Sequence, residues 1–171
     1  LRAADRVLAG PGSAGESVAG GMDVNCDGNP DVAVGSGNVG VDVYLGGAGG
    51  LGTKAAFTLP GTGGVAAAGD VDGDGCSDLL VSAAGDEVEV QAGGRRGAGA
   101  LGTLRDSGGA PLGDPIGLTM SSAGDVDGDG FADFVVAART ASGSAGAAHL
   151  FLGSAMPNAV EWNTATRRID L

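Results

Sequence analysis

At 171 residues the chain fits one domain able to bury a core, but its 36 glycines and six aromatics disfavour long helices, because Gly costs roughly 1 kcal/mol per helical position relative to Ala. The formal charge of −12 excludes the basic stripe that nucleic acid requires, and no run of 18 apolar residues offers a membrane span. Glycine without a G-X-Y period excludes collagen, which leaves short strands and tight turns, an all-β class.

The chain opens on Leu1, read as the end of a processed or trimmed protein. Its first segment, "ADRVLAG", resembles strands that close later units, so residues 1–9 are expected to be the outer strand of a neighbouring blade. A first unit, about 10–60, then runs through the small-residue strand "ESVAGGM", the acidic loop "DVNCDGNPD" from Asp23, and the strands "VAVGS", "VDVYLGG" and "KAAFTLP". A second, about 61–112, repeats "GVAAAG", "DVDGDGCSD" from Asp70, "LLVSA" and "VEVQAGG". The third, about 113–171, gives "TMSSAG", "DVDGDGFAD" from Asp125, "FVVAA", "AHLFLGS" and "ATRRIDL". Loop starts are 47 and 55 residues apart.

Four short strands per unit of this length is the pattern of a propeller blade. The expected fold is a single all-β β-propeller domain over 1–171, with three four-stranded antiparallel blades. Since propellers close with about four to eight blades, and open edges invite association, two outcomes are expected. Either the chain forms a homo-oligomer, most simply a dimer of six blades, or it is a fragment of a longer propeller.

The acidity is concentrated. Eleven of the 21 acids lie in the three loops, whose charges are −3, −4 and −4. One divalent cation in each would bring the formal charge to about −6. The spacing D-x-[DN]-x-D-G-x-x-D sets side-chain oxygens at loop positions 1, 3, 5 and 9, and a hard cation such as Ca²⁺ takes six to eight oxygens. Gly28, Gly75 and Gly130 at position 6 allow the sharp turn. Position 7 can supply a backbone carbonyl, which any side chain permits. An EF-hand needs an acid at position 12 and a following helix, as does a dockerin-like loop; here Val34, Val81 and Val136 stand there and strands follow. The bland alternative is a solvated turn rich in Asp and Gly, which does not account for acids at the same offsets three times.

A calcium loop between two strands resembles the FG-GAP repeat of integrin α-subunit β-propellers and their bacterial relatives. The resemblance runs from about Ser13 to the end. It implies ligands from Asp23, Asn25, Asp27 and Asp31 with the Asn29 carbonyl in the first loop. In the second they would be Asp70, Asp72, Asp74 and Asp78 with the Cys76 carbonyl, and in the third Asp125, Asp127, Asp129 and Asp133 with the Phe131 carbonyl. Asn25 removes one charge, so the first site should bind most weakly. The family's Phe-Gly is missing, and "VGSG", "VSAA" and "VAAR" stand where V-G-A-P is expected.

The resemblance implies a calcium-stabilised, non-catalytic interaction or adhesion module that is secreted or on the cell surface, with a protein or glycan ligand. A lectin with integrin-like calcium loops is the alternative, with Tyr44 and Trp162 as candidate sugar-stacking rings. No enzyme is expected, because no nucleophile–base pair can be assembled. His149, the only histidine, aligns with Asp42 and Glu89 and alternates with apolar neighbours, so it is expected to face solvent. "GGRRGAGA" from Gly93 lacks the Lys-Ser/Thr ending of a phosphate loop and reads as a turn. Cys26 and Cys76 are expected as free thiols, with a disulfide between them the lesser alternative.

Overall fold

The computed structural model describes residues 7–8, 14–37, 39–85, 87–104, 114–139, 147–155 and 167–170. Among the described residues it contains twelve strands and no helix. The first sheet runs β1 (Ala14–Met22), β2 (Asp31–Ser36), β3 (Gly40–Tyr44) and β4 (Phe57–Leu59). The second runs β5 (Val65–Gly69), β6 (Asp78–Ala83), β7 (Glu87–Ala92) and β8 (Gly99–Thr103). The third runs β9 (Asp114–Gly124), β10 (Asp133–Arg139), β11 (Ala147–Phe151) and β12 (Arg167–Asp170). Each is a four-stranded antiparallel meander in chain order. Strand β8, "GALGT", carries too little hydrophobic alternation to be read from sequence.

The register repeats as the strands do. Val18 pairs with Val34, Val65 with Val81 and Met120 with Val136. On the other edge Val34 faces Asp42, Val81 faces Glu89 and Val136 faces His149. Position 12 of each loop is therefore the middle of a central strand, which is why an apolar β-branched residue stands there and an acidic ligand does not.

The core consists of two layers, each sandwiched between neighbouring sheets. Met22, Val24, Val41, Val43, Leu79 and Val81 join the first sheet to the second. Leu80, Val88, Val90, Phe134, Val136 and Phe151 join the second to the third, with the Phe134 and Phe151 rings stacked at 5.2 Å. Consecutive residues Leu79, Leu80 and Val81 are all buried and serve both layers. A sheet covered on both faces reads as an unbroken apolar run, the habit seen in "LLV".

The structure corrects the expectation for His149, which is 5 % exposed and not solvent-facing: it shares a strand face with Ala147 and Phe151, and Phe151 packs in the layer against the second sheet. Asp42 at the equivalent position is also buried and accepts a 2.6 Å hydrogen bond from the Thr58 hydroxyl. Alternation along a strand marks its two faces but does not say which of them meets the neighbouring sheet, and in β11 it is the face that carries His149. Tyr44 is buried as well, so it packs in the core and presents no ring for a sugar; Trp162 lies outside the described residues, as do residues 1–6 and 9 of the expected N-terminal outer strand. The segment from Gly93 forms the turn between β7 and β8, with Arg95 and Arg96 exposed.

Candidate metal loops

Each acidic loop joins the first two strands of a sheet, and its local structure is built by its own carboxylates. Position 1 accepts the position-6 amide: Gly28 to Asp23 at 2.7 Å, Gly75 to Asp70 at 2.9 Å and Gly130 to Asp125 at 3.0 Å. Position 3 accepts the position-5 amide, Asp27 to Asn25 at 3.2 Å, Asp74 to Asp72 at 3.1 Å and Asp129 to Asp127 at 3.2 Å. Position 5 accepts the position-7 amide, from Asn29 to Asp27, Cys76 to Asp74 and Phe131 to Asp129. The position-6 glycines all have positive φ, between 84° and 96°, the conformation their expected role requires.

Position 9 does something the sequence reading did not separate from ligation. Asp31, Asp78 and Asp133 are fully buried. One oxygen of each accepts the position-2 amide, from Val24 at 2.8 Å, Val71 at 2.7 Å and Val126 at 2.6 Å. The other accepts the amide of the glycine shortly after the third strand: Gly46 at 2.7 Å, Gly93 at 2.8 Å and Gly153 at 2.9 Å. This aspartate thus braces the loop against its own sheet. The sequence signal was the glycine ending each third strand.

In the second loop one carboxylate oxygen from each of Asp70, Asp72 and Asp78 lies within 4.8 Å of the others, and in the third Asp125, Asp127 and Asp133 do the same. Asp74 and Asp129 stand outside these groups, turned to their position-7 amides. The first loop holds the same internal bonds, with the Asn25 amide donating to Asp27 at 3.0 Å. An all-oxygen donor set of this density suits a hard divalent cation. Burial, then the neighbouring Asp72 and Asp74 charges, push the Asp78 carboxyl up to about 7 against the two amides that hold it. Burial chiefly, with Asp74 and Asp70 beside it, also raises Asp72. Asp27 moves the other way, lowered by hydrogen bonds from Asn29 and Asn25.

The loops also join one sheet to the next. Cys26 and Cys76 form a disulfide, Cα to Cα 4.9 Å, which overturns the expectation of free thiols. Sequence placed these cysteines at different loop positions, 4 and 7, and position 4 of one loop abuts position 7 of the next. The same juxtaposition sets Gly73 against the Phe131 ring.

Two family descriptions match the chain: the FG-GAP-like repeat over residues 23–81, and the FG-GAP repeat over residues 62–101 and 120–151. A search of curated proteins finds no match.

Proposed function

The chain belongs to the FG-GAP repeat family, and from that premise we propose that it is a calcium-stabilised β-propeller module that binds a partner outside the cell and catalyses nothing. The observation that carries this is the pair of three-carboxylate groups, one per loop, at the corners where sheets meet. Concentrated charge at those corners opposes packing, and a cation held by Asp70, Asp72 and Asp78, or by Asp125, Asp127 and Asp133, offsets it. The first loop, through Asp23, Asn25, Asp27 and Asp31, forms a further site whose own oxygens carry one negative charge fewer. Calcium there supplies only charge neutralisation and cross-linking of oxygens, which makes ion binding part of the folding free energy. The disulfide supports an oxidising location.

The binding role extends to further units of the same kind. Val24 and Val71, at position 2 of their loops, are 0 % exposed because the next sheet covers them, whereas Val126 at the same position is 57 % exposed. That face of the third sheet is the surface on which another blade, from a second copy or a longer chain, packs.

Thermal unfolding in millimolar calcium and in EDTA tests the calcium reading: the melting temperature should rise with calcium, and coincident curves would remove it. Light scattering in calcium tests the association, which a compact monomer would contradict.

A further inference from the structure

The Cys26–Cys76 disulfide is the feature in which one seam between loops departs from the other. At position 4 the second and third loops carry Gly73 and Gly128, with φ of 77° and 80°. Cys26 holds the same left-handed conformation, φ 56°, and is the one positive-φ residue other than glycine among the described residues. A side chain with a Cβ disfavours that region by roughly 1–2 kcal/mol. The first loop therefore bears a conformational cost its sisters avoid, and what it gains is the covalent link. The backbone bonds of the two seams match, although the Ser77 hydroxyl also accepts the Asp23 amide at 3.1 Å where the second seam has Ala132. Ser77 donates its amide to the Asp23 carbonyl at 2.8 Å, and Ala132 donates to Asp70 at 2.9 Å.

The link is attached within both loops, next to residues that hold the candidate sites. Cys26 lies between Asn25 and Asp27, and the Asp27 amide donates to the carboxylate of Asp23 at 3.0 Å and to the side-chain oxygen of Asn25 at 3.2 Å. Cys76 is position 7 of the second loop, and its amide donates to Asp74 at 2.8 Å. Displacing Cys26 therefore moves the backbone that orients three donors of the first loop, and displacing Cys76 moves Asp74, whose amide donates to Asp72 of the second carboxylate group at 3.1 Å.

We infer that the disulfide couples the first two cation sites, so that they fill together and more tightly than their own oxygens allow, while the third fills independently. This rests on the calcium reading above. Ordering one loop holds the sulfur bridge, which lowers the ordering cost of the other, and such linkage is reciprocal. It also lets a loop with one charge fewer, through Asn25, share the affinity of its neighbour. Redox state then sets the calcium affinity of two sites and leaves the third alone.

The test replaces the first seam with a copy of the second, Cys26→Gly with Cys76→Phe. This keeps a glycine at the left-handed position and a ring over it, as Gly73 and Phe131 do. Calcium is titrated by NMR, following the position-6 amides of Gly28, Gly75 and Gly130 separately. We expect Gly28 and Gly75 to titrate at about fivefold or more higher calcium in the variant, with Gly130 unchanged. Equal midpoints for Gly28 and Gly75 in the two proteins overturn the coupling. If none of the three amides responds to calcium in the unaltered protein, the calcium reading itself falls, and the coupling with it. Should the variant not fold, the same titration of the unaltered chain with and without a thiol reductant gives the same comparison.

Discussion

The amide of Ala132 donates a 2.9 Å hydrogen bond to the carbonyl of Asp70, so the last turn of the third loop is fastened to the first residue of the second. One step further out, Ser154 donates to Val71 at 3.0 Å, as Gly94 donates to Val24 at 2.7 Å. The seams between sheets are thus written in backbone bonds, and close approach is their condition. A Cβ on Gly93 would run into the carbonyls of Ser77 and Val24, while one on Gly99 would meet nothing. Gly93→Ala should therefore destabilise the protein by about 1–3 kcal/mol, the usual cost of overpacking, and Gly99→Ala should change it little. Urea unfolding of the two variants measures the difference; equal midpoints would mean that the sheets are not held this closely.

Asp72 and Asp78 belong to one carboxylate group but differ in what else they hold. Asp78 accepts two amides, from Val71 and Gly93. Asp78→Asn turns an NH₂ toward one of them and leaves a buried donor unsatisfied, a loss of about 1–3 kcal/mol. That loss should appear in EDTA as well as in calcium. Asp72→Asn keeps an oxygen for the Asp74 amide and removes a like charge from the loop, so in EDTA its melting temperature should hold or rise. It should lose the gain that calcium gives. Melting both variants in both buffers separates bracing from ligation.

Strands were legible because their chemistry is periodic and local. "VEVQAGG" and "AHLFLGS" could be placed beside each other from sequence, and β7 and β11 occupy those positions. What stayed hidden depended on contacts between units. The placement of His149 was hidden because alternation reveals two faces but not which one meets the neighbouring sheet, and His149 shares the packed face with Phe151. The Cys26–Cys76 bridge was misread for a related reason: a gapless alignment compares a loop with itself, at positions 4 and 7, and says nothing of which position meets which across a seam. Within the loops, the offsets at positions 1, 3 and 9 were enough to place Asp70, Asp72 and Asp78 together. They did not show that Asp78 also carries the amides of Val71 and Gly93.

The metal-free protein should lose stability as pH rises from about 5 to 8. Asp78 ordinarily titrates near 3.8, and burial raises it to about 7 in the folded state. Between those values the folded protein holds a proton that the unfolded chain has released, so folding is favoured at the lower pH and the advantage is gone above 7. Asp72, raised by burial, adds in the same direction. Urea midpoints in EDTA at pH 5 and pH 8 should show the fall, and Asp78→Asn should flatten it. A midpoint that rises with pH in the unaltered protein would show that Asp78 is ionised throughout.

Reducing the disulfide should cost more stability than any single hydrogen bond at the same seam. The bridge spans 50 residues of sequence, and on a chain-entropy view a closed loop of that size contributes about 4 kcal/mol. The form of the replacement matters too, because Cys26 sits at φ 56°. Cys26→Ala with Cys76→Ala leaves a Cβ in the left-handed region with nothing to hold it there, whereas Cys26→Gly with Cys76→Ala relieves it. The glycine variant should be the more stable of the two by roughly 1 kcal/mol. Both should unfold at lower denaturant than the oxidised protein, and the order alanine, glycine, oxidised is the outcome to look for in guanidinium melts. If alanine and glycine unfold together, the first loop has left that conformation once the link is cut, and the bridge is what imposes it.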